Sequence, residues 1–430
     1  MPLHALDPRR NRRTATRVLR VLGRAAFVVG AASVLMSACH ERVPLGSGLP
    51  DDDAHPGVPI FPWLADDEHV DEIPINNVAC KPGLTTDLDG DGYSAVEGDC
   101  NDCDPDMGPN AVEMVTLDGE APKDENCNGV IDEATPLCDS NVALDDSGAL
   151  AAARAVDLCR IATPGSWGVA SALWRLPNGS TPPSSTLFAL GHGVLNQFGP
   201  NVVPQRGAQM LALSTGAARR PGDVEYISPA GFDKGYTSAP PESLAQTPAA
   251  CGTGAPESGR DGIALEIQLG VPQNAQAFAF DFNFFTFEMP ASQCTAHGDR
   301  FAAVLTPPPV DSPTGNIAFD SMGGIVRASS VFLEACTCPT GPPCYMGGKA
   351  HACSLGIEPL LGNGFGADLS GSGHHAATGW LMSTAEVEAG GHFTLRFMIY
   401  DATDGLADST VLVDNFRWLH NAPQIPRSHR

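Results

Sequence analysis

The sequence predicts a mainly β protein: an antiparallel, jelly-roll-like β-sandwich preceded by a small calcium-loop module and a disordered tether. Three observations carry this. The 430 residues include 46 Gly and 37 Pro, a composition that favours turns and strands over long helices. Hydrophobic residues make up 43% and charged residues 17%, enough apolar material for a sizeable core and too much for a disordered chain. The second half contains several stretches that alternate apolar and polar residues with period two, the mark of half-buried strands.

In chain order, "RRNRRTATRVLRVLGR" and "AAFVVGAASVLMSA" form a basic segment and an apolar run of signal-peptide length, short for a bilayer span. Residues 1–38 are expected to be an export signal. Ser37 and Ala38 directly before Cys39 resemble the lipobox of bacterial lipoproteins, which implies that Cys39 is lipidated and holds the chain to a membrane. An ordinary cleaved signal with a coincidental cysteine is the alternative. By the sorting rule of those lipoproteins, His40 rather than Asp after the cysteine favours the outer membrane or cell surface. Thirteen cysteines less Cys39 leave twelve, which can pair completely, and disulfides are the expected state in an exported chain. The cluster "CTCPTGPPCYMGGKAHAC" matches no paired zinc-knuckle spacing.

Seven Arg and one Asp fall within residues 1–38, so the remainder carries 18 basic and 49 acidic side chains, a net charge of −31. That charge excludes nucleic acid as an expected partner. Residues 39–83, rich in Pro, Gly and Asp, read as a flexible tether. Residues 84–135 form an acidic module with too few apolar residues for a core of its own.

In "DLDGDGYSAVEGD" the carboxylates Asp87, Asp89 and Asp91 are spaced i, i+2, i+4, and Gly92 follows. This is the first half of a calcium loop, in which a hard cation gathers several oxygens while the peptide turns around it. The twelfth position is Gly98, so Glu97 or Asp99 is the expected closing ligand. Shorter versions follow: Asp102, Asp104 and Asp106 in "DCDPD", then Asp124, Asn126, Asn128 and Asp132 in "DENCNGVIDE". Residues 87–133 hold 15 acidic side chains against one Lys, an excess that a divalent ion would cancel. Oxygen donors without neighbouring His favour Ca²⁺ over zinc or copper. Cys100 and Cys127 flank these turns and suggest a disulfide clamp.

The order DxDGDGY, GDC, DPD, PNAxE, DxNCNGxxDE over about residues 87–133 resembles the metal-binding motif of MopE-related surface proteins. The resemblance implies metal binding by these residues and adds Tyr93 to the expected metal-site set. It departs by lacking a cysteine soon after Glu113 and by having Cys103.

Residues 136–420 carry the β domain. "LDDSGALAAARAVDLC" predicts a helix over about 146–158, with acidic and Ser residues as N-cap candidates. Strands are predicted at "GIALEIQLGV", "AQAFAFDFNFFTF" with Phe278, Phe280, Phe282 and Phe284 on one face, "RFAAVLT", "IVRASSVFLEA", "GWLMSTAEV", "HFTLRFMIYDA" and "STVLVDNFRWL". Seven or more such strands predict the sandwich. "AFDFNFFTFEMP", "GDRFAAVLTPP", "PTGNIAFDS" and above all "DSTVLVDNFRW" resemble the choice-of-anchor L domain over about residues 145–420. That implies an extracellular β-rich domain found with varied surface anchors. Residues 421–430 read as a tail.

Acidic residues at Asp281, Glu288, Asp299, Asp401, Asp404, Asp408 and Asp414 fall on strand ends and loops. Turn polarity accounts for them most simply; a second metal site using Glu288, Asp299, Asp408 and Asp414 is the sharper expectation. His374 and His375, flanked by Gly and Ser, read as exposed, whereas Trp380 and Trp418 lie in strand patterns and read as core. No GxSxG or HExxH motif is present, and no enzyme is expected. The expectation is an exported, lipid-anchored surface protein that binds Ca²⁺ and uses its sandwich for adhesion or binding, with a polysaccharide or a protein surface as ligand. A polysaccharide hydrolase using a carboxylate pair and a purely structural envelope component are the alternatives.

Overall fold

The structure is a computed structural model that describes residues 74–75, 78–79, 85–114, 121–241, 244, 259–289, 298–319, 324–328, 330, 332–336, 344–346, 349–366, 375–402 and 405–421. The export signal, Cys39, most of the tether, residues 422–430 of the tail, Cys80, Cys251, Cys294, Cys338, His374 and Asp404 lie outside the described residues. Within the tether stretch, β1 (Pro74–Ile75) and β2 (Val78–Ala79) pair antiparallel.

Most of the remaining chain folds as two facing antiparallel sheets. The elements that build them are β3 (Gly168–Arg175), β4 (His192–Leu195), β5 (Met210–Ser214), β6 (Arg260–Gly270), β7 (Ala277–Thr286), β8 (Arg300–Thr306), β9 (Val326–Arg327) and β10 (Ala335–Cys336). They continue with β11 (Cys344–Met346), β12 (Lys349–His351), β13 (Ala376–Ala377), β14 (Leu381–Glu386), β15 (His392–Asp401) and β16 (Ser409–Leu419). One sheet runs β10-β13-β7-β16-β5-β4, with β14 also on β7; the other runs β3-β6-β15-β8-β9; β11 and β12 pair separately. The predicted helix is present but shorter, as α1 (Ala149–Arg154).

The predicted phenylalanine face builds the interior. Phe278, Phe280, Phe282 and Phe284 are fully buried, and the first three meet the opposite sheet ring to ring. Phe278 stacks on Phe393 at 5.1 Å, Phe280 meets Phe397 edge-on at 4.9 Å and Phe282 meets Phe301 at 5.0 Å between ring centroids. Each such side chain contributes about 2–3 kcal/mol of burial, so this row is the main bond between the sheets.

Two strand readings change. β7 is not half-buried: every residue but Asp281 is buried, because Phe198, Leu360 and Phe365 from connecting segments cover its other face at Phe285, beside Leu412 of the neighbouring β16. "IVRASSVFLEA" is not one strand but β9 and β10. The Ser330 hydroxyl accepts from the Arg327 N–H at 2.9 Å and the Ser330 N–H donates to the Arg327 carbonyl at 2.8 Å, a local turn that competes with the ladder.

Candidate metal centre

The acidic module has almost no regular structure: its one helical element among the described residues is a 3-10 turn at Ala95–Glu97. Carboxylate-to-backbone bonds shape it instead. Asp87 accepts from the Gly90 N–H at 2.7 Å and the Gly92 N–H at 3.0 Å. Both glycines have positive φ, at 84° and 96°, a conformation that glycine adopts without a steric penalty. Asp89 accepts from Asp91 N–H at 3.1 Å, and Asp91 from Tyr93 N–H at 2.8 Å.

Three carboxylates share one pattern. Asp89, Asp99 and Asp102 each spend Oδ1 on a backbone N–H, from Asp91, Asn101 and Leu88 respectively. In all three, Oδ2 is buried and has no hydrogen-bond partner. A carboxylate oxygen of each lies within 4.8 Å of the other two, and Asp87, Asp89 and Asp91 form a second such group. Two oxygens each about 2.4 Å from a Ca²⁺ ion lie at most about 4.8 Å apart, so both groups are compact enough to share ions through Asp89.

The electrostatics agree. Burial first, with the charges of neighbouring carboxylates and against a backbone hydrogen bond, raises Asp99 to about 7 and Asp91 to about 6. Asp89 is raised for the same two reasons. Such a group holds protons unless a cation replaces them. The residues therefore fit a hard divalent ion: oxygen donors only, oriented by the backbone, with oxygens left over.

Cys100 and Cys127 are joined, as the sequence suggests, with Cα atoms 5.5 Å apart. Their sulfurs, beside Asp99, are therefore not thiolate ligands. Glu97 stands apart from both groups; it accepts from the Ser94 N–H at 3.0 Å and hydroxyl at 2.6 Å, closing a capping box. Asp104 pairs with Lys123 at 2.9 Å, and Asp106 lies 3.6 Å from His420, a neighbour that no local spacing reveals.

The third turn is separate. Asp124 accepts from the Asn128 and Gly129 N–H groups at 3.0 and 2.8 Å. Asn126 donates to Glu113 and Glu133 at 2.8 and 2.7 Å, and the Asp132 N–H donates to Glu113 at 2.7 Å. Burial and the charges of Glu133 and Glu125 raise Glu113 to about 7. Glu113 and Glu133 therefore belong with Asp124, Asn126, Asn128 and Asp132.

The module rests on the β6–β7 turn. Asn274 accepts from Val112 N–H at 2.9 Å and donates to Val112 carbonyl at 2.8 Å. Gln273 donates to the Asp91 carbonyl.

In the sandwich the expected second metal set is only partly assembled. Glu288 accepts from the Asp299 N–H, and Thr215 donates to Asp299 at 2.7 Å. Burial and then the charges of Glu288, Asp401 and Asp408 raise Asp299 well above its ordinary value. Asp408 is raised too, chiefly by burial, while the buried Lys234 opposes that shift. Lys234 donates to the Ser214 carbonyl at 3.0 Å and its N–H to Asp261 at 2.8 Å. Nothing local marks this resident cation, which sits in "GFDKGY" with no motif around it. Asp414 is not part of the group. Its carboxylate accepts the N–H groups of Gln205, Arg206 and Asn415, whereas Glu288, Asp299 and Asp408 neighbour Asp401, Asp261 and the cation of Lys234. Asp281 is explained by Arg417 at 3.4 Å and Asn415 at 2.7 Å.

His375 is buried and stacked on Phe287, not exposed; Trp418 packs against Phe278 and Phe416 as expected.

No family model matches the chain, and no curated protein matches it. Among solved structures it is similar to the carbohydrate-binding module TmCBM61, solved with β-1,4-galactotriose, at 8% identity and a TM-score of 0.21, over 58% of this chain and 88% of that one.

Proposed function

We propose that the chain is an exported surface protein, held to a membrane by lipid on Cys39, whose acidic module binds Ca²⁺ and whose β-sandwich is a binding or adhesion domain. The observation that supports calcium is the set of three buried, unpartnered oxygens on Asp89, Asp99 and Asp102, gathered within the span of one coordination sphere. Backbone N–H groups on the opposite oxygens fix the carboxylates in place, the role outer hydrogen bonds take around a metal. Ca²⁺ replaces the hydrophobic core that this segment lacks, and Asn274 couples the ordered module to the sandwich.

The test is calorimetric titration of Ca²⁺ into the chelator-stripped full-length chain and its Asp99→Asn variant. Binding by the parent that is weakened at least tenfold or lost in the variant is expected. Equal binding by both would sink the calcium assignment. The anchor is tested separately: Cys39→Ala should move the protein from the membrane fraction to the soluble one.

A further inference from the structure

Asp91 stands where the acidic module and the sandwich meet. Its carboxylate belongs to the group formed with Asp87 and Asp89, and the residue is only 6% exposed. A Cβ on Gly108 would stand 2.4 Å from Asp91 Oδ2, so only glycine lets residues 108–112 lie this close to the carboxylate. The Asp91 carbonyl, in turn, accepts from Gln273 Nε2. A Cβ added to Gly92 would lie 3.8 Å from the same nitrogen, which places the amide group of Gln273 over the peptide that joins residues 91 and 92.

Gln273 sits on a turn that is itself fixed. The Ala275 and Gly390 N–H groups both donate to the Pro272 carbonyl, at 3.3 and 3.2 Å, and the Val271 N–H donates to the Gly391 carbonyl at 2.9 Å. The next residue, Asn274, holds Val112 by two hydrogen bonds. Asp91, Gln273, Asn274, Val112 and Gly108 therefore close a ring of contacts, in which two adjacent residues of the sandwich hold both segments that enclose the Asp91 side chain.

Within the sandwich Gln273 serves no comparable purpose. Its Oε1 is buried without a hydrogen-bond partner, and among the described residues its amide nitrogen bonds to the module alone. Burying a side-chain amide with its oxygen unsatisfied costs free energy, and what offsets that cost lies at Asp91.

Resting on the calcium reading above, we propose that Gln273 is a positioning residue for the module's ion site, so that Ca²⁺ affinity and the seating of the module on the β6–β7 turn form one linked equilibrium. Held through its own backbone, Asp91 keeps its carboxylate toward Asp87 and Asp89, as outer hydrogen bonds orient the ligands of a metal. Linkage is reciprocal: the factor that this contact adds to ion affinity is the factor that the ion adds to the contact.

The test is calorimetric titration of Ca²⁺ into the chelator-stripped full-length chain and its Gln273→Met variant, with melting temperatures recorded in chelator and in Ca²⁺. Met keeps the length of the side chain and removes the donor. The variant should bind the same number of ions about 10- to 100-fold more weakly, with its melting temperature unchanged in chelator and lowered in Ca²⁺. A side chain that only packs would lower both melting temperatures and leave the affinity alone. If Gln273→Met does not fold, Gln273→Ala carries the same expectation. A folded variant that binds Ca²⁺ as tightly as the parent overturns the proposal and leaves the calcium reading intact. A parent that binds no Ca²⁺ overturns both, so the two failures are told apart by the parent's own titration.

Discussion

Removing calcium should make the acidic module less stable as pH rises, the reverse of an ordinary salt-bridged surface. Asp99 starts from an unfolded value near 3.8 and is raised to about 7 in the fold. A raised folded value means that the stability is complete below the unfolded value and is lost as pH climbs through the folded one. The window therefore runs from about 4 to about 7. Each unit corresponds to about 1.4 kcal/mol, so Asp99 alone accounts for on the order of 4 kcal/mol, close to a thousandfold in the opening equilibrium. Calcium reverses the trend, because it binds the deprotonated carboxylates; at a hundredfold excess over its dissociation constant it returns about 2.7 kcal/mol. The assay is amide exchange in residues 85–114 as protection factors at pH 5 and 8, with chelator and with Ca²⁺, since opening of this module is local. Lower protection at pH 8 than at pH 5 with chelator, restored by Ca²⁺, is expected. Protection that is unchanged by pH and by calcium would refute the account of the carboxylates as a charge-repelling ion cage.

Other perturbations test the supports around the site. Phe280→Ala removes a fully buried ring that touches the opposite sheet and should cost about 3–5 kcal/mol in denaturant unfolding. Replacing Cys100 and Cys127 together by Ala opens a loop of sequence separation 27; a loss of about 3.5 kcal/mol should appear as faster exchange in the module with the sandwich unaffected. Asn274→Ala strands both polar groups of Val112, a penalty of about 1–3 kcal/mol for each, and should raise exchange at residues 108–114 even with calcium present.

Local pattern made much of this molecule legible. The period-two phenylalanines of β7 identified the interior because alternation is a property of one strand, and the aspartate spacing located clustered carboxylates because Asp87, Asp89 and Asp91 are near neighbours in the chain. What escaped notice depends on distant segments. β4 and β5 are buried throughout, so they show no alternation. Lys234 acquires its meaning only from Asp261, Asp299 and Asp408, brought from three other places. Asp414 was singled out among the acidic residues of strand ends and loops, but its partners, the N–H groups of residues 205 and 206, are backbone and leave no trace in residue identity.

The seat of the module also gives the sandwich a direction. Asn274, on the β6–β7 turn, and His420, beside the end of β16, lie at one end of the two sheets. The turns around Thr215, Glu288 and Asp408 lie at the other, about 30 Å away along strands of this length. A load borne by the module therefore passes through Asn274 toward β7 and through His420 toward β16, adjacent strands of one sheet.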